Sequence, residues 1–167
     1  MPFDVDRLLR LWTEPLADDD AAEAAFREVY NDPVSVNGEP VGTAELIAGA
    51  RALQRAVEWP RIRVLAVVEG ARQIALVTRL QGRQVGPLAT TGGSLPATGR
   101  VVELRTIDVL TVSDGRVMEI WTVTNELGAL AAVEAVRLLT ERGGPAAHSL
   151  YNILEPEGEE WGAHPST

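Results

Sequence analysis

The sequence predicts one α+β domain: a cone-shaped, curved antiparallel sheet, covered by helices, around an internal pocket. Three observations predict it. The first third of the chain places apolar residues at helical spacing. From residue 61 the spacing changes to strand-like alternation, with consecutive strands joined by tight turns. One more apolar helix follows the last strand. Hairpin-linked strands build an antiparallel sheet, and helices are the available cover for its apolar face.

The elements follow in order. Residues 4–13 carry Val5, Leu8, Leu9 and Trp12 on one helical stripe, and Pro15 ends it. Asp18, Asp19 and Asp20 offer an N-cap and favourable charge to a second helix, 20–30, with Ala22, Ala25, Phe26, Val29 and Tyr30 on its stripe. Asn31-Asp32-Pro33 breaks that helix. Val34-Ser35-Val36 reads as a short strand and Asn37-Gly38 as a turn. Thr43 is the expected cap of a third helix, which runs to Trp59-Pro60, since the residue before proline avoids helical angles. Residues 61–68 and 72–81 read as strands and 82–99 as a long Gly/Pro/Thr/Ser loop. Residues 100–112 and 116–124 form a hairpin on Asp114-Gly115. A last helix is expected over 126–140, stopped by Gly143-Gly144-Pro145. The domain is thus 1–144, and 145–167 is an acidic Pro/Gly-rich tail, removable without loss of the fold unless its few apolar residues dock as a lid.

Composition excludes several functions. The net charge is −9, and the 15 basic residues, all arginine, are scattered. A nucleic-acid or anionic-membrane partner calls for the opposite balance. Without lysine there is no Schiff-base nucleophile, and without cysteine no thiolate, disulfide or thiolate metal site. Both histidines, His148 and His164, lie near the C-terminus, so a Ser-His-Asp triad or a histidine metal site would have to borrow from the tail. The N-terminal segment does not read as a signal peptide and no apolar run suits a bilayer, so a cytoplasmic location is the default expectation. Chemistry here falls to carboxylates, Tyr, Trp, Asn, Arg or water.

The last hairpin carries the site candidates. A two-residue loop pairs Ser113 with Arg116 and Val112 with Val117. The same register sets Leu110 opposite Glu119, Asp108 opposite Trp121 and Thr106 opposite Val123; a three-residue loop with a bulge would instead pair Asp108 with Ile120, and the two-residue loop is preferred because it matches apolar Val112 to apolar Val117. Alternation puts Val102, Leu104, Thr106, Asp108, Leu110 and Val112 on one face. If that face looks inward, Asp108 is a carboxylate in a dry pocket beside a tryptophan. Desolvation then raises its pKa and fits it for acid–base work. The plainer reading is a structural salt bridge with Arg105 or Arg79. Glu119 reads as a pocket-rim or ion-pair residue. Trp12, Trp59 and Trp121 fit core packing, and capping and packing account for Tyr30 and Asn31, which also stand at the pocket mouth. Asn125 opens the last helix, and N-capping explains it.

Two segments resemble the SnoaL-like polyketide cyclases. One is V-Y-N-D-P-V-S-V-N-G-E-P-V-G, residues 29–42. The other is G-R-V-V-E-L-R-T-I-D-V-L-T-V-S-D-G-R-V-M-E-I-W-T-V-T-N-E-L-G, residues 99–128, similar to the family block that ends in D-G-[KR]-[IV]-x-E-x-W and, a few residues on, an Asp and a Leu-Gly pair. The resemblance spans about residues 4–140. It implies the nuclear-transport-factor-two-like cone shared with ketosteroid isomerase and limonene epoxide hydrolase, and a homodimer through the outer sheet face. The exposed-side residues Val101, Ile107 and Val109 agree with such a partner. It also implies ring closure by aldol chemistry without cofactor or metal, using a carboxylate. The family's acid after the Trp is Asn125 here, which takes no proton at neutral pH, so Asp108 is the surviving candidate. The leading expectation is acid–base catalysis on a bulky, largely apolar carbonyl compound. In it Asp108 is the base, Trp121 and Tyr30 shape the pocket, and Asn125 donates a hydrogen bond to the enolate. The alternatives are epoxide opening with Asp108, Arg105 and Asn31, or a non-catalytic ligand-binding and dimerisation domain.

Overall fold

A computed structural model describes residues 3–136. Helix α1 (Val5–Thr13) starts at Asp4, whose carboxylate accepts the Arg7 N–H at 2.8 Å. Helix α2 (Asp19–Val29) starts at Asp18, which accepts the Ala21 N–H at 2.7 Å. These side chains satisfy N–H groups that a helix leaves unpaired at its start. Strand β1 (Tyr30–Val36) begins directly at the helix end and includes Asn31-Asp32-Pro33, with a cis Asp32–Pro33 bond. It is longer than the expected 34–36. The Asn37-Gly38 turn returns the chain as a short β2 (Glu39–Val41).

Helix α3 (Thr43–Ala56) is capped at Gly42, not at Thr43. Glu45 accepts the Gly42 N–H at 2.9 Å, and Asp32 accepts the Thr43 N–H at 3.2 Å, so the carboxylates of neighbouring residues do the work expected of the threonine hydroxyl. Strands β3 (Val57–Glu69) and β4 (Gln73–Gln84) follow as a long hairpin. The stretch expected as loop holds the end of β4 and a small hairpin, β5 (Leu88–Thr90) and β6 (Gly93–Leu95). Gly82 lies inside β4 because β3 crosses close beside it: a Cβ there would stand 2.3 Å from the Val57 side chain and 2.9 Å from the Glu58 carbonyl oxygen. Strands β7 (Val101–Ser113) and β8 (Arg116–Thr124) turn on Asp114-Gly115 as expected. Helix α4 (Glu126–Ala132) ends earlier than the expected 140, with Glu134 at a φ of 60° just past its last turn. The expected boundary at 144 and the tail 145–167 lie outside the described residues.

Six strands form one curved sheet in the order β2-β1-β8-β7-β4-β3. It is mostly antiparallel, but β1 runs parallel to β8, a pairing the expected all-antiparallel sheet lacked. The Asn37 side chain extends this pairing by acting as one more peptide group. Its Oδ1 accepts the Thr122 N–H at 2.8 Å, and its Nδ2 donates to the Thr122 carbonyl at 3.3 Å.

The inner face divides into rows that cross the sheet. Ile74–Leu110–Ile120 belongs to an apolar core with Leu8, Leu11, Phe26, Val34 and Leu46 from the helices and β1. At the other end Leu80 and Val102 pack with Ala56, Val57, Leu88 and Ala129. Between these cores run two rows of another character: Leu76–Asp108–Thr122 and Thr78–Thr106–Thr124. Polar groups therefore lie mid-sheet, flanked by apolar packing on both sides.

Candidate active site

The register of the last hairpin decides which residues share a face with Asp108. Ser113 pairs with Arg116 and Val112 with Val117, as expected, but the next pair is Thr111 with Glu119. Met118 is the extra residue of a β-bulge, which shifts the rest of β8 by one and turns its side chains over. Asp108 thus faces Thr122 rather than Trp121, and Thr106 faces Thr124 rather than Val123.

Six expected positions are corrected. Trp121 is 53% exposed on the outer face, opposite Val109. Glu119 is on the same face and accepts a hydrogen bond from Thr111 Oγ1 at 3.3 Å. Arg105 is there too, its Nε donating to Glu103 at 2.9 Å, and Arg79 shares its row, so neither forms the supposed salt bridge with Asp108. Asn31 donates to the Pro33 carbonyl at 2.8 Å and lies outside the cavity. Asn125 is an exposed N-cap whose Oδ1 accepts the Gly128 N–H at 3.1 Å. The carboxylate, arginine and asparagine required for epoxide opening do not converge.

The structure does bring together Asp108, Thr106, Tyr30 and Trp12. They line a cavity of about 310 Å³ between α1, α3 and the inner sheet face, otherwise walled chiefly by leucines and isoleucines. Sequence reasoning missed three further lining residues, Thr78, Thr122 and Thr124. Thr78 was legible from the alternation Ile74, Leu76, Thr78, Leu80 on β4. The other two were hidden by the bulge.

Among the described residues that line the cavity, Asp108 is the one carboxylate and none is an arginine. Burial pushes its carboxyl above the ordinary 3.8, and a hydrogen bond from Thr122 partly offsets this. Tyr30 is 2% exposed. Burial drives its phenol well up, a Trp12 hydrogen bond opposes the shift, and the negative charge of Asp108 adds to it. Trp12 Nε1 donates to Tyr30 Oη at 2.9 Å, while the Trp12 ring sits edge-on to Phe26, which stacks on Tyr30. The Trp12 bond and the Phe26 stack hold the phenol in place, burial favours its protonated form, and its O–H has no acceptor among the described residues. A second cavity of about 260 Å³ shares Trp12, Leu53, Leu104 and Thr124 with the first and is bounded by the β5–β6 hairpin and α4. Thr91 donates through both its N–H (2.9 Å) and its hydroxyl (2.5 Å) to Glu126, tying that hairpin to α4. No group of three or more His, Asp or Glu side chains suited to a metal occurs among the described residues, and no described helix is long and apolar enough to cross a membrane.

Helices thus cover one face of a curved sheet, and the apolar cavity between them has Asp108 as its one carboxylate among the described residues. The family model for SnoaL-like polyketide cyclases matches residues 6–133, and the chain belongs to that family. Among solved structures, TsrD from Streptomyces laurentii is similar at 20% identity and a TM-score of 0.62, over 81% of this chain and all (100%) of that one. A SnoaL-like protein from Jannaschia sp. CCS1 is similar at 24% identity and 0.60, over 80% of this chain and 92% of its own. A SnoaL-like polyketide cyclase from Agrobacterium tumefaciens is similar at 17% and 0.60, over 79% and 98%. These likenesses carry the fold alone. No curated protein matches the chain.

Proposed function

We propose that the protein is an acid–base enzyme of the cyclase or isomerase type, acting on a bulky, largely apolar carbonyl compound such as a polyketide. The observation that carries this reading is Asp108: a desolvated carboxylate, with no arginine among the described residues of its cavity, at the polar middle of an apolar cavity. Its ionised form removes a proton from the carbon beside the substrate carbonyl. The C–H electron pair enters the new C=C bond and the carbonyl oxygen takes up negative charge. Tyr30, kept protonated by burial and oriented by Trp12, would donate to that oxygen, in the role expected of Asn125. In a substrate with a second carbonyl, the enolate carbon attacks it, a C–C bond closes the ring, and Asp108 returns its proton to the new alkoxide. In an isomerisation the proton returns to a different carbon.

The test is deuterium uptake at C2 of 1-tetralone in D2O, followed by proton NMR. The wild-type protein should accelerate exchange over buffer, and Asp108→Asn should reduce the protein-dependent rate about 100-fold or more, the range of a general base. An unchanged rate in Asp108→Asn contradicts the reading.

The same reading includes a homodimer through the outer sheet face. Two apolar rows cross that face, Ala66–Val77–Ile107–Val123 and Val68–Ala75–Val109–Trp121. Val123 is 71% exposed and Ile107 54%. A contiguous apolar sheet face of this kind favours a partner, and a second copy offers a matching surface.

A further inference from the structure

We propose that the row Thr78–Thr106–Thr124 is a second recognition site of the cavity, which binds a hydroxyl or ketone oxygen of the substrate one strand repeat away from the reacting carbon. The proposal rests on the acid–base reading of Asp108 and adds the substrate class: an elongated, mostly apolar ketone with a further oxygen at a set distance.

Three observations support it. The first is composition at this place. The cavity face of a sheet is where β-branched apolar residues pack best, and valine has nearly the shape of threonine. Yet threonine stands at all three adjacent positions of one row, Thr78 opposite Thr106 and Thr106 opposite Thr124. Hydroxyls facing a dry cavity cost free energy unless they are bonded.

The second is the hydrogen-bond count. Thr106 Oγ1 and Thr124 Oγ1 lie 3.2 Å apart, so one of the two donates to the other. That bond uses one of three hydroxyl protons. Thr78 is 7% exposed and its hydroxyl has no partner among the described residues. The row is left with two donors and several lone pairs, which suits a carbonyl as acceptor or a phenol or enol as donor and acceptor.

The third is position. Same-face residues two apart on a strand are separated by roughly 6.5–7 Å, so the row lies that far from Asp108. Thr124 also lines the second cavity. A substrate with its reacting carbon at Asp108 would lay a second oxygen on the threonine row and extend its remaining apolar part past Thr124, beneath the β5–β6 hairpin.

The experiment compares 1-tetralone with 6-hydroxy-1-tetralone, which adds a phenol at the far end of the same rigid two-ring frame, by isothermal titration. The wild-type protein should bind the hydroxylated ketone about tenfold more tightly, the worth of one or two neutral hydrogen bonds. In Thr78→Val/Thr106→Val/Thr124→Val the affinity ratio should fall to near one. Thr78→Ser/Thr106→Ser/Thr124→Ser, which keeps all three hydroxyls, should retain the ratio and serves if the valine variant fails to fold. Equal affinities in the wild type, binding of neither ketone, a preference that survives in the valine variant, or one lost in the serine variant overturns the proposal. Deuterium exchange into 1-tetralone reads Asp108 separately. Exchange with no hydroxyl preference removes the threonine site and leaves the base. A threonine-dependent preference with no exchange removes the base and leaves the site.

Discussion

Ionising Asp108 costs this fold free energy, because burial strips it of water while the described residues of the cavity supply one hydroxyl partner and no cation. Its pKa is raised, so the folded chain holds the proton more tightly than the unfolded chain, whose value stays near 3.8. Between 3.8 and the folded pKa, stability falls as pH rises, and above the folded pKa the full cost is in place. Asp108→Asn removes the charge and keeps the shape. Thermal melts at neutral pH should therefore place the variant above the wild type, with the gain shrinking as pH falls toward 3.8. A variant that melts well below the wild type at neutral pH would point to a structural ion pair instead. The inward setting of Asp108 was legible because it interrupts an apolar face, as Thr106 does. Those of Trp12 and Tyr30 follow from their helical stripes. Asn125 was legible as a cap, and its exposure keeps it to that.

At the scale of elements, β8 misled the reading because its alternation runs against the usual rule. Its apolar Trp121 and Val123 face outward and its polar Thr122 and Thr124 face the cavity. Matching Val112 to Val117 was right, but a bulge one residue later has no sequence mark in Met118. The loop 82–99 hid a device of another kind. Gln84 is fully buried at 0% exposed, and its amide donates to the carbonyls of Gly86 (3.1 Å), Leu95 (3.2 Å) and Pro96 (3.0 Å). Its oxygen accepts the Thr98 hydroxyl at 2.6 Å. One side chain thus holds both ends of the β5–β6 segment that bounds the second cavity. Gln84→Leu should cost about 2–4 kcal/mol in denaturant unfolding, since it strands several buried polar groups at once. Hydrogen exchange over 86–98 should speed up more than elsewhere; uniform protection would show that the segment holds itself. A glutamine at the end of a strand gives no such signal in sequence, because its partners are mostly backbone groups and lie up to 14 residues away.

At the scale of the whole molecule, the fold was legible because the hydrophobic period changes from helical to alternating near residue 61 and back after residue 124, and the turns carry Asn-Gly and Asp-Gly. The parallel β1–β8 pair was not, since it joins residues far apart in the chain. The outer face unites the misplaced residues. Trp121 and Val123 complete apolar rows begun by Val77, Ile107, Ala75 and Val109, bounded on one side by Arg63–Arg79–Arg105 and on the other by Gln73–Thr111–Glu119. Sedimentation should find a dimer at micromolar concentration and a monomer for Ile107→Glu, whose charge would be buried at the centre of the interface. A monomeric wild type would remove the homodimer.

The claim on which the rest depends is that Asp108 is desolvated and unpaired by a cation. A carbon-13 NMR titration of its side-chain carboxyl, assigned by its loss in Asp108→Asn, measures this directly. The account predicts a midpoint above 3.8, with no second carboxyl titrating in the cavity. A midpoint at or below 3.8 would mean that the carboxylate is solvated or paired, and would contradict its role as the base.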